Sequence, residues 1–400
     1  MKQLQKNNVQ GYTKTAIDSF LLLFPGALSA LLIFLVSSNR LLPSDKESTI
    51  FLLNFIQLQW LGITIAKYGI DQMILARLQP NNTTQFSAFI KQRIIPLTIA
   101  YCIVIGLIKG PTYASALAIT IAMEAITIAI STELSISNRI KNSALLTLLG
   151  NPLVFILIFI AYNIHQLSIN VIFICSVLSS LVRILLAFLF RNKGEKQAIA
   201  LLSYHVPLQQ IGNFIMFRLD QLLIAVSLTG MVFLADTSLK SYYLFLAKFP
   251  EVASGVIVSL APILYRKLGD ETNASIGNLL KHKLFIVLSA GIIICQLLIS
   301  FYIFKQKDIT NDWLLFIPFV ISSLLILPVN LVTYVLFKEG IISKINLLNL
   351  MSCVIGVGFF LLSFLFKSIY IFSLIVPVQL LVYVVLFQVL KLTNKEYKNG

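Results

Sequence analysis

Apolar residues in this chain gather into long runs, and polar residues are confined to short gaps or to narrow stripes inside the runs. The runs fall at 16–36, 50–76, 94–108, 112–134, 144–162, 168–190, 206–232, 242–264, 283–304, 314–336, 343–366 and 368–390. Most approach the ~20 residues that an α-helix needs to cross the hydrocarbon of a bilayer. The pattern therefore predicts an all-α polytopic membrane protein with about twelve transmembrane helices. The longest connections, 37–49, 77–93, 191–205 and 265–282, are too short to form an extramembrane domain.

Composition agrees with the pattern. Of the 400 residues 58% are hydrophobic and 12% charged, and the mean hydropathy is +0.89. Soluble domains carry about 25% charge, so a secreted domain, a disulfide scaffold and a soluble enzyme are excluded. The net charge of +15 would point to nucleic acid in a soluble protein. In a membrane protein it reflects basic loops, and no nucleic acid is expected. Twenty Lys and Arg fall at the two ends of the chain and in alternate loops, against seven in the others. That bias puts both termini in the cytoplasm, consistent with an even number of spans. Met1 to Lys14 is polar and basic, and the run after it lacks a convincing cleavage site for a signal peptide.

The linker 191–205, RNKGEKQAIALLSYH, separates an amino-terminal six-helix bundle (1–190) from a carboxy-terminal one (206–400). Two sets of six insert with the same orientation, as parallel repeats would. Ala66-Lys67-Tyr68 in the second run and Ala247-Lys248-Phe249 in the eighth form a faint echo of that repeat.

Cys102, Cys175, Cys295 and Cys353 each sit inside an apolar run without CxxC spacing and read as small core residues. Three histidines give no metal-site pattern, and no Walker motif or Gly-rich nucleotide loop is present. No cofactor and no enzymatic centre are expected.

The informative residues are charges inside the runs, since each costs about 2.5–3.5 kcal/mol at mid-bilayer on insertion scales. On a helical wheel of the seventh run, Gln210, Asn213, Arg218, Asp220 and Gln221 occupy an arc of about 160°. Ile215, Leu219, Leu222, Leu223 and Val226 fill the other side. Arg218 and Asp220 lie at the two edges of the arc, poorly placed to neutralise one another. Arg218 has two readings: the partner of a carboxylate on another helix, or the lining of a water-filled, anion-attracting cavity.

Lys248 and Glu251 are i,i+3 in the eighth run, with Pro250 between them bending the helix. Lys67 and Asp71 are i,i+4 and can satisfy each other. Arg183 aligns with Ser176 and Ser180 and lies near enough to the cytoplasmic end to snorkel. Thr120, Glu124, Thr127 and Ser131 form one stripe of the fourth run. Glu124 there is either the partner of a basic residue elsewhere or an ion-coupling site. Asp18 lies near the start of the first run, and Pro25-Gly26 in its middle offers a hinge.

These features together resemble a known family. Twelve spans in two sixes, FRLDQLLIA in the seventh run, YYLFLAKFPEVASGVIVSLAPILYRKL in the eighth and LGITIAKYGIDQMILARL in the second resemble Wzx-type polysaccharide flippases. These belong to the multidrug/oligosaccharidyl-lipid/polysaccharide exporter superfamily, with MATE-like architecture. The resemblance implies a flippase of the bacterial inner membrane. It would move undecaprenyl-diphosphate-linked oligosaccharide units of O-antigen or a related polysaccharide from the cytoplasmic to the periplasmic leaflet. It also implies a cationic cavity matched by Arg218 and Lys248, then by Lys67 and Arg183, with Asp220, Gln221 and Asn213 beside them. A polysaccharide polymerase and a chain-length regulator are the candidate protein partners.

The competing functions are an ion-coupled multidrug exporter of the same superfamily and an integral-membrane polysaccharide polymerase. A drug-cation exporter favours an acidic, aromatic cavity, which Arg218 opposes. A polymerase of this type displays a large external loop, and none exceeds about 13 residues here.

Overall fold

The computed structural model describes residues 46–70, 89–137, 139–164, 168–191, 205–226, 234–251, 313–338 and 342–399. It adds single positions between 28 and 36, at 74, 83–84, 196–197 and 253, and between 287 and 298. The expectations at Asp18, Pro25-Gly26, Asp71 and Cys295 lie outside the described residues. The chain divides into two compact units, Met1–Pro207 and Leu208–Gly400.

The first unit contains α1 (Lys46–Lys67), β1 (Thr83–Thr84), a π-helical turn (Ile90–Ile94), α2 (Ile95–Lys109), α3 (Pro111–Ile136), α4 (Ile140–Leu148), α5 (Asn151–Asn163), α6 (Ile169–Phe190) and β2 (Lys196–Gln197). The second contains most of α7 (His205–Val226), then α8 (Thr237–Leu246), α9 (Trp313–Lys338), α10 (Ile342–Leu365), α11 (Ile369–Ser373) and α12 (Ile375–Asn399). Among the described residues six segments are long and apolar enough to cross a membrane: Glu47–Lys67, Ile90–Lys109, Pro111–Ser135, Ile140–Asn163, Ile169–Phe190 and Ser343–Leu365. Leu314–Asn330 and Ile375–Val389 are shorter apolar helices. The fold is that of an all-α polytopic membrane protein. The two strands are a single parallel bridge, Thr83 opposite Lys196 and Thr84 opposite Gln197.

In the first unit α1 is central and mostly buried, whereas the stretch Ile90–Lys109, which includes α2, is peripheral and mostly exposed. The reason is chemical. α1 carries Asn54, Gln57, Gln59 and Thr64, all buried, and amides need protein partners in hydrocarbon. The outer side of α2 presents Ile99, Ile103, Val104 and Leu107, which lipid tails solvate as well as protein does. Where α1 meets α3, a Cβ on Gly62 would collide with Ile121 Cδ1, so glycine permits the close approach. Phe51, Phe55, Tyr113 and Phe173 close one part of this unit with ring centroids 5.3–5.6 Å apart. Ile70, Ile74, Ala129, Ile130, Leu134, Leu146 and Ala187 form another core cluster.

Two breaks in helical backbone correct or refine the pattern. The second run was expected to stay helical to residue 76, yet α1 ends at Lys67, followed by Tyr68 at φ 46° and Gly69 at φ 73°. Left-handed backbone stops a helix even where the sequence remains apolar. Gly110, at φ 94° and ψ 163°, is the single residue between α2 and α3, and Pro111 starts the next helix. A side chain would disfavour that conformation, while Pro at the first helical position costs no hydrogen bond.

In the second unit α12 packs against α9 and α10, and Thr333 and Tyr383 hydroxyls lie 2.9 Å apart between α9 and α12. The tenth and eleventh runs match α9 and α10 within two residues at either end. The twelfth is divided at Leu374 into α11 and α12. Polar groups stitch α7 to α10: Asn349 Nδ2 donates to Asn213 Oδ1 at 2.8 Å and to the Gln209 carbonyl at 3.4 Å. Gly212 provides the room, since a Cβ there would lie 2.8 Å from Asn349 Nδ2.

Candidate functional site

Among the described residues, charges within the apolar runs gather into a cluster in each unit. In the first, the Arg183 guanidinium on α6 is paired with the Glu124 carboxylate on α3 through Nη1 and Oε2. Arg183 Nε donates to the Leu146 carbonyl at 2.7 Å, near the carboxyl end of α4, where the helix dipole favours a cation. Ser180 Oγ donates to Glu124 Oε1 at 2.9 Å. Ser179 caps the same region, donating to the Leu149 and Gly150 carbonyls at 3.0 and 3.2 Å.

This geometry corrects the expectation that Arg183 snorkels: the side chain is buried, held inward by a charge and a helix end that water would otherwise satisfy. Glu124 follows the paired reading. The rest of its stripe is helix glue, since Thr120 and Thr127 hydroxyls donate back to Ala116 and Met123 carbonyls. Ser131 shares a hydrogen bond with Ser143 of α4.

In the second unit the cluster is larger and lies on irregular backbone. α7 leaves helical geometry at Arg218 itself, with φ −142° and ψ 18°. α8 ends at Leu246, Ala247 forms a turn, and helical residues resume at Lys248. Glu251 bridges the two cations: its Oε1 is 3.1 Å from Arg218 Nε and its Oε2 is 3.0 Å from Lys248 Nζ. Lys248 Nζ also donates to Gln221 Oε1 at 2.7 Å, and Gln221 Nε2 donates to the Ala247 carbonyl at 3.3 Å. Asp220 accepts from the Tyr243 hydroxyl at 2.7 Å and from the Gln221 backbone N–H at 2.8 Å. Tyr243 is in turn fixed by Phe319 and Phe372, each with its ring centroid 5.2 Å away. The Arg218 guanidinium lies 4.8 Å from the Phe214 ring centroid, a cation–π contact.

Arg218, Asp220, Gln221 and Lys248 are therefore gathered in one place, and Asn213 sits farther up α7 against Asn349. Arg218 and Asp220 take different partners, Glu251 and Tyr243, in keeping with their separation on the wheel, although the backbone departs from the helix at Arg218 and both partners lie in the segment 243–251. On the apolar side Leu219 and Leu222 are buried. Lys67, at the end of α1, and Arg183 belong to the first unit. Residues that the sequence did not single out as site residues are Glu251 and Tyr243. The signal for Glu251 was its i,i+3 spacing from Lys248; nothing marked Tyr243 beyond its place in the Tyr-Tyr pair.

The second cluster holds two cations and two carboxylates, so its formal charges balance, with Glu251 shared between Arg218 and Lys248 and Asp220 held by Tyr243. Lys248 is 1% exposed as a side chain, Glu251 11% and Arg218 24%. Arg218 is thus the most open of the three. Among the described residues no group of three His, Cys, Asp or Glu could hold a metal ion.

Among solved structures the fold is similar to that of a transporter of the MOP superfamily from Pyrococcus furiosus, described as having a binding pocket of reversed polarity. The TM-score is 0.53 at 9% identity, covering 96% of both chains. It is also similar to the outward-facing conformation of a multidrug-resistance MATE-family transporter of the same superfamily, with TM-score 0.51 and 11% identity, again over 96% of each chain. No protein-family model and no curated protein matches the sequence.

Proposed function

We propose that the protein is a membrane transporter that flips a diphosphate-linked oligosaccharide lipid, an undecaprenyl-diphosphate repeat unit of O-antigen or a related polysaccharide, from the cytoplasmic to the periplasmic leaflet. The carrying observation is the Arg218–Glu251–Lys248 bridge on two interrupted helical segments. Interrupted helices inside a membrane are tolerated where they line a binding site, and transporter sites are typically built this way. Arg and Lys are the side chains that hold phosphate. Gln221, Asp220, Tyr243 and Asn213 supply the amides, carboxylate and hydroxyl that suit sugars. Moving such a head group without a protein would strip its many hydroxyls of hydrogen bonds. The two units then act as the halves of an alternating-access transporter.

The likeness to superfamily transporters supports the transport class, and the flippase assignment rests on the chemistry of the cluster together with the motif resemblance. The neighbour described as having reversed pocket polarity is in keeping with a superfamily whose pockets differ in charge. The bacterial inner membrane, cytoplasmic termini and assembly with a polymerase and chain-length regulator belong to the same proposal. Deleting the gene tests it. Surface polysaccharide should disappear while complete lipid-linked units accumulate on the inner leaflet; intact polysaccharide with altered drug susceptibility favours a multidrug exporter. That second reading draws on the multidrug-resistance neighbour and on the equal number of acids and bases in the cluster.

A further inference from the structure

Glu251 is the anion shared by the two cations of the second cluster. One carboxylate spans two cations from separate segments, an oxygen for each, at 3.1 and 3.0 Å. Behind it, Lys248 is nearly sealed and also engages Gln221, whereas Arg218 is the more open side.

A bilayer presents phosphodiester head groups in vast excess over any minor lipid. Two bare cations in reach of it would be filled by those head groups, because Arg and Lys bind any phosphate through charge-assisted hydrogen bonds. Glu251 opposes this. A phosphodiester carries one negative charge and would replace one negative charge, with no electrostatic gain. It would also compete with a group tethered three residues from Lys248, whose effective concentration is that of an intramolecular partner. A diphosphate differs, since its two phosphoryl groups can reach both cations at once with more charge than the carboxylate they displace. The backbone leaves helical geometry at Arg218 and turns at Ala247, so neither cation is pinned by an uninterrupted helix.

We propose that Glu251 is a selectivity group: a tethered anion that holds Arg218 and Lys248 against anionic phosphodiester lipids and yields to a diphosphate. Discrimination of this kind comes from making the wrong ligand pay for a lost interaction rather than from improving contacts to the right one. The inference rests on the reading of this cluster as a diphosphate site.

The test uses the full chain in nanodiscs and inorganic pyrophosphate as probe, titrated calorimetrically. One set of discs contains phosphatidylcholine alone, whose phosphodiester charge is balanced by its own ammonium, and the other includes phosphatidylglycerol, whose phosphodiester charge is uncompensated. In the native protein the pyrophosphate Kd should agree within about 2-fold between the two discs. In Glu251→Gln it should tighten in phosphatidylcholine and weaken by about 10-fold or more when phosphatidylglycerol is present, because the lipid phosphate now occupies the cations. Glu251→Asp keeps the charge but is one methylene too short to hold both cations, and should shift in the same direction by a smaller factor. It carries the test if Glu251→Gln does not accumulate. A folded variant with the native response in both discs overturns the selectivity role alone. Absence of pyrophosphate binding in the native protein and in both variants overturns the diphosphate reading beneath it.

Discussion

Each unit buries an arginine against a glutamate, on different kinds of backbone. Arg183 and Glu124 project from regular stretches of α6 and α3, and a helix end and a serine take up further hydrogen-bonding capacity. Arg218 and Glu251 meet where the helices are interrupted, and Glu251 is shared with Lys248. The first arrangement has few alternatives, so separating the charges leaves each unsolvated. The second has spare partners and irregular backbone, so it can change partners. The difference teaches that burial of a charge does not by itself mark a functional site: the same Arg–Glu pairing occurs both on regular helices and where the helices are interrupted.

The comparison breaks most visibly at Arg218. Arg218→Ala or Arg218→Gln should leave almost no surface polysaccharide at near-normal protein abundance, and Arg218→Lys should restore part, since lysine lacks the planar fork. Normal polysaccharide at normal abundance would make the second cluster as structural as the first.

The opposite signature is expected in the first unit. Arg183→Ala should cost about 3–5 kcal/mol, as removing one partner of a buried pair does, and immunoblots of membrane fractions should show the loss. Glu124→Gln sharpens the point: a structural counter-ion lowers abundance, whereas an ion-coupling carboxylate leaves abundance intact and abolishes dependence on the proton gradient.

Smaller effects refine the picture. Tyr243→Phe removes one hydrogen bond to the Asp220 carboxylate and should destabilise by about 1.5–3 kcal/mol, read from thermal unfolding of the purified protein. Gly150→Ala would put a Cβ 3.1 Å from the Arg183 guanidinium. The expected loss is about 1 kcal/mol, the low end for overpacking, because the side chain can shift slightly.

Much of the fold was legible in the sequence where an apolar run ends sharply. α3, α6, α9 and α10 lie within two residues of the runs that predict them. Interruptions inside a run were not legible. Tyr68 and Arg218 depart from helical backbone without a proline beside them, and hydropathy cannot register a dihedral angle. The same limit governs the site. Arg218, Lys248, Asp220 and Gln221 stood out as polar groups in apolar surroundings, but the Arg218–Glu251 link joins residues 33 positions apart and depends on a helical phase that the kink resets. Arg183 was misread for a related reason: distance from the run's end suggested an escape to water, and the better partner, Glu124, lay on another helix.

The single-residue joint at Gly110 has a mechanical consequence. A connector of one residue has no slack to absorb sliding, so α2 and α3 must enter the bilayer as a paired hairpin and afterwards travel as one piece. Whatever displaces the lipid-facing α2 therefore also shifts α3, and with it the glutamate that anchors Arg183. A longer flexible insert after Lys109 would uncouple the two, turning a rigid strut into a loose tether.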